Sequence, residues 1–148
     1  MAYSTIPAAK STLITLLQAR AGLAGVLIDW GIPQQEPTDS RERVYVDDAI
    51  NVKRDWIALG QLRLDETYAI QVAVEVYREG SDRRACEERM WAIVAEVEQT
   101  AVLSLRLAVT QWEAPRPEMG DPKTFPWGEG WCSNVLLELV CSARIQAA

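Results

Sequence analysis

The feature that most constrains this chain is a strict alternation at residues 68–78. Tyr68, Ile70, Val72, Val74 and Val76 fall on one side of an extended backbone, and Ala69, Gln71, Ala73, Glu75 and Tyr77 fall on the other. Neighbouring strand side chains point to opposite faces, so this run requires a sheet with at least one buried face. A second alternation, Val135, Leu137, Leu139, Cys141, Ala143 and Ile145, predicts a final strand at 134–145.

Two helical patterns supply cover for that sheet. Residues 7–21 place Leu13, Leu16 and Leu17 on one side, with Ser4 and Thr5 as cap candidates and Pro7 in the first turn, where no amide hydrogen is needed. After Gly80, Ser81 and Asp82, the residues Cys86, Met90, Ile93, Val94, Val97 and Ala101 repeat at the helical period, while Arg83, Arg84, Glu87, Glu88, Glu96 and Glu98 mostly take the solvent side. Arg84 and Glu88, four apart, read as a modest surface pair.

The remaining segments predict short strands and turns. Gly22 and Gly25 end the first helix and lead into a strand at 26–30; residues 31–43, with Pro33, Pro37, Asp39 and Ser40, read as a surface connection. Strand character returns at 44–50, with a further extended piece at 53–59 before Gly60, and again at 106–113. Residues 114–130 hold four prolines and three glycines with Phe125 and Trp127, flanked by Trp112 and Trp131, and read as a long Pro/Gly/Trp-rich loop. The expected fold is α/β in the α+β sense. It is one domain over residues 1–148, with a single mixed or antiparallel sheet of four to six strands and two main helices packed on it.

Composition narrows the chemistry. At 148 residues the chain bury enough surface for one core, and a net charge of −6 argues against a surface made to neutralise nucleic-acid phosphates. There is no histidine, so Ser-His-Asp and Cys-His nucleophile arrangements are excluded. Cys86, Cys132 and Cys141 lack C-x-x-C spacing and read as buried thiols. Gly128-Glu129-Gly130 is a two-glycine echo of a phosphate loop with no helix after it. The acidic doublets Asp47-Asp48 and Asp65-Glu66 would divide between opposite strand faces, which is poor geometry for a shared metal or proton. No catalytic, cofactor or metal site is expected. Residues 135–141 are too short to span a bilayer and are interrupted by Glu138. The signal-peptide-like run at 10–21 is broken by Thr12, Thr15 and Gln18 at helical spacing.

Short signatures in order give the chain a resemblance. AYSTIPAAK at 2–10 runs into Leu23-Ala24-Gly25-Val26 and an extended segment ending in Trp30-Gly31; then Leu62-Arg63-Leu64-Asp65-Glu66-Thr67-Tyr68-Ala69-Ile70 steps into the alternating strand, and a charged helix starts near Asp82. Over residues 2–110 this resembles the tail terminator (tail completion, neck) proteins of long-tailed, siphovirus-like phages, notably those infecting actinobacteria; residues 114–130 have no match in that pattern. The resemblance implies a structural virion protein: a homohexameric ring that caps the tail tube, halts its polymerisation and offers its other surface to the head connector or stopper. It places the protein at the tail–neck junction of the virion and in the host cytoplasm during assembly. Its partners would be copies of itself, the major tail tube protein and the connector, with genomic DNA passing through unbound and no membrane involved.

A closed ring needs two unlike surfaces on each subunit. Trp112, Phe125, Trp127 and Trp131, with Gln71, Glu75 and Tyr77 on the outward strand face, are the candidates for subunit or tube contacts. Asp47, Asp48, Asp65 and Glu66 are the candidates for an acidic channel lining that keeps DNA off the wall. A head-completion or stopper protein of the neck is the alternative reading. A small ligand-binding or enzymatic α/β domain is a more distant one.

Overall fold

The computed structural model describes residues 4–31, 42–59, 61–80, 82–105 and 115–146. In chain order the elements are α1 (Ile6–Gln18), β1 (Leu27–Trp30), β2 (Glu42–Leu59), β3 (Gln61–Glu79), α2 (Arg83–Thr100), β4 (Arg116–Met119), β5 (Lys123–Trp127) and β6 (Gly130–Gln146). The strands form one six-stranded sheet in the order β1-β2-β3-β6-β4, with β5 also paired to β6. Only β1 against β2 is parallel, so the sheet is mixed and the α+β expectation holds.

The alternating strand is the spine. β3 pairs with β2 on one side and β6 on the other, which sets Ile70 opposite Leu139, Val72 opposite Leu137 and Val74 opposite Val135. These side chains, with Val44 and Val46 of β2, meet Leu13 and Leu17 of α1 and Met90, Ile93, Val94 and Val97 of α2 in one core. A 13-residue helix such as α1 is marginal alone. Leu13 and Leu17 are fully buried, and each contributes about 1.5–3 kcal/mol by leaving water, which decides that it is helical here.

Local chemistry fixes the helix ends. Ser4 Oγ accepts the Ile6 amide at 3.1 Å, and the Asp82 carboxylate accepts the Ala85 amide at 3.0 Å. α1 stops at Gln18, short of the expected residue 21. Arg20 turns to an extended backbone, and its guanidinium reaches Glu96 and Gln99 on α2, so the chain leaves the helix to tie the two helices together.

Further expectations change. The pieces read at 44–50 and 53–59 are one 18-residue strand, interrupted by register shifts between Val46 and Ala49 and between Ile50 and Lys53. Each shift is a bulge that adds twist, and Asn51 in the second takes the left-handed conformation at φ 54°. Beyond it the β2–β3 hairpin continues as an arm in which Val52, Lys53, Arg54, Asp55 and Trp56 are exposed, while the β3 residues opposite them stay paired to β6.

The stretch read as a loop at 114–130 is mostly paired. β4 and β5 run antiparallel to successive parts of β6, broken at Gly120-Asp121-Pro122. Its prolines fit because an edge strand does not need every amide for the ladder. Of the expected connection at 31–43, residues 32–41 lie outside the described residues, as do the expected strand at 106–113 and Trp112.

Candidate functional site

Both helices pack on the face of the sheet that carries Val72 and Leu137, and among the described residues no helix covers the other. The register lays that open face out in rows across the strands. Arg43, Glu75, Asn134 and Lys123 make one row, and Arg43 Nη2 donates to Glu75 Oε1 at 2.9 Å. Tyr45, Ala73 and Leu136 make the next. The third is acidic: the bulge at Asp47-Asp48 lies opposite Gln71, which pairs with Glu138, which pairs with Glu118. Ile50, Ala69, Val140 and Arg116 complete the set.

The candidate residues therefore divide by face. Gln71, Glu75 and Tyr77 do point away from the core, as the alternation predicts, and Gln71 joins Asp47 and Asp48 in the acidic row. Glu118 and Glu138 belong to this row and escaped the sequence reading. Glu138 was visible only as an interruption in an apolar run, and Glu118 fell in the segment read as loop.

Asp65 and Glu66 separate as strand geometry demands. Asp65 Oδ1 lies 3.2 Å from both Arg63 Nε and Arg144 Nε on the open side. Glu66 points to the helix side and is 0% exposed, so it is removed from the candidate channel lining. Its carboxylate is occupied: Oε1 accepts the Thr5 amide and hydroxyl, each at 2.8 Å, and Oε2 accepts Arg54 Nε at 3.1 Å.

The aromatic candidates split too. Phe125 and Trp127 meet edge to face with centroids 6.2 Å apart, and Trp127 is 59% exposed at the end of β5. Phe125 and Tyr77 both pair with Cys132, so Tyr77, Phe125 and Trp127 form an aromatic corner of the open face. Trp131 lies on the helix side, against the core, with the Arg83 guanidinium 5.4 Å from its ring centroid. It is correspondingly a packing residue rather than part of that corner.

The corner ends in a tight hairpin. Trp127 pairs with Gly130 across Gly128-Glu129, and Gly128 at φ 56° supplies the positive φ that a two-residue hairpin takes at its first position. The two-glycine echo is thus a turn, and a glycine followed by one residue between strand-like runs was the signal for it. Burial, and secondarily Glu75, pushes the Cys132 thiol up to about 11; burial followed by Glu75 also raises the Tyr45 phenol.

Among the described residues no three His, Cys, Asp or Glu side chains gather as a metal cluster, and no described helix is long and apolar enough to cross a membrane. The arrangement offers rows of charge and exposed aromatic area, which is the chemistry of contact.

No family model and no curated protein sequence matches the chain. Among solved structures, a chain of the virion of a native gene transfer agent particle shares its fold. That match covers 96% of this chain and 100% of the other, with a TM-score of 0.56 at 11% identity.

Proposed function

We propose that this protein is a structural virion component, a ring-forming tail terminator that caps the tail tube, stops its polymerisation and gives the head connector its seat. The observation that carries the reading is the end-to-end likeness of fold to a virion chain. The signatures at 2–10 and 62–70 and the layout of the open face support it. In such a ring each subunit meets the next through unlike surfaces. The aromatic corner of Tyr77, Phe125 and Trp127 is assigned to subunit or tube contact, because exposed aromatics give large contact area at little entropic cost. The acidic row of Asp47, Asp48, Glu138 and Glu118 is assigned to the channel wall, where like charge lets DNA slide without adhering.

A stopper at the neck is also a virion protein of this kind, and the same likeness of fold supports it. Purified tail-tube subunit polymerised with and without the chain separates the two. A terminator shortens the tubes and sits at one end; a stopper binds connector and leaves tube length unchanged. Binding to neither tube nor connector contradicts both.

A further inference from the structure

We infer that Glu66 couples the N-terminal helix to the β2–β3 arm, so that whatever draws Arg54 away from Glu66 also loosens the first turn of α1. One buried carboxylate serves both segments. Its Oε1 holds Thr5, the residue at the start of α1, through the amide and the hydroxyl, and its Oε2 holds Arg54 from the arm. Because the Thr5 hydroxyl proton goes to Glu66, Tyr68 Oη donates to Thr5 Oγ at 2.9 Å, which ties the same helix start to the middle of the sheet. The Thr5 side chain makes no cap bond to its own helix, although threonine commonly does. Its hydroxyl is spent on the sheet instead.

The two ends of this network differ in access. Glu66 is 0% exposed, whereas the Arg54 side chain is 41% exposed within a run, residues 52–56, that faces solvent. Arg54 is therefore the handle that another molecule can reach. A buried carboxylate that loses its cation is left uncompensated, and it regains stability by moving toward water or by rearranging its other partners. Those partners are Thr5 and, through it, Tyr68. Coupling of this kind is reciprocal, so a loosened α1 start must also loosen the hold on the arm. The ring reading bears only on who engages the arm; the coupling is a property of the single chain.

Residue-resolved amide exchange on the intact protein tests it. Arg54→Gln is expected to speed exchange about tenfold at Thr5 and at Ala9, whose amide bonds the Thr5 carbonyl, and to leave Ile93 to Val97 in α2 unchanged. In a Glu66→Gln background, which has no carboxylate charge to uncover, adding Arg54→Gln is expected to change those rates by less than about twofold. Thr5→Val is expected to speed exchange in the arm around Arg54. The inference is overturned if Arg54→Gln leaves Thr5 and Ala9 unchanged, if its effect persists in the Glu66→Gln background, if Thr5→Val leaves the arm unchanged, or if α2 accelerates equally.

Discussion

Gly130 shows how closely single positions are set. It pairs with Glu79 at the start of β6, and a side chain there would overlap the Arg78 carbonyl oxygen and crowd the Glu79 backbone. Backbone cannot swing aside as a side chain can, so Gly130→Ala is expected to cost about 3 kcal/mol, the upper part of the usual overpacking range. At Gly128 the added carbon would meet only Tyr77 Oη at 3.4 Å, and the cost there is the left-handed backbone, about 1–2 kcal/mol. Urea unfolding of the two variants should rank them in that order. Cys132 gives a pH-dependent case. The unfolded thiol loses its proton near 8.5, and the folded one at about 11. Between those values the unfolded state binds fewer protons, so stability falls as pH rises through the window and levels off above it. Unfolding curves for the native protein and Cys132→Ala, taken from pH 8 to 11, are expected to converge toward the alkaline end as the native protein loses its thiol-linked share.

At the scale of elements, the bulges of β2 decide both shape and legibility. Asn51 adopts φ 54°, which asparagine tolerates and a β-branched residue does not. Asn51→Gly is expected to be neutral or mildly stabilising and Asn51→Val to cost about 1–2 kcal/mol, read from thermal or urea unfolding. The same bulges explain why β2 looked like two pieces. Each inserts a residue that resets the two-residue alternation, so the pattern breaks at Asp47-Asp48 and at Asn51-Val52 although the pairing continues. β3 and β6 were legible over 68–78 and 134–145, where their periods run unbroken, but not over 61–67 and 130–133; α2 was legible for the same reason. The hairpin of β5 with β6 was missed although Gly128-Glu129 marks its turn, because the proline, glycine and tryptophan around it belong equally to loops. Glu66 was misplaced although the alternation, carried two residues back from Tyr68, sets it on the core face; what no local pattern reports is Thr5, 61 residues away, the partner that holds a carboxylate there. The acidic row likewise depends on register between four strands.

For the whole molecule, the proposed contacts lie on the open face and the packed core lies under the helices on the other. Truncating an exposed contact residue should then separate the two. Trp127→Ala loses its edge-to-face partner Phe125 and is expected to cost only about 1 kcal/mol in unfolding. Under the proposed terminator role, capping of tube ends is expected to weaken at least tenfold, as removal of an interface anchor does. Equal loss in both measurements would mean that the corner serves the fold alone. The most direct test of the assembly reading is to count this chain in purified, complete particles by quantitative mass spectrometry. One closed ring predicts a fixed copy number per particle, about six if it is the hexamer that the resemblance implies. Particles that assemble and carry DNA with none of this chain present would contradict the account.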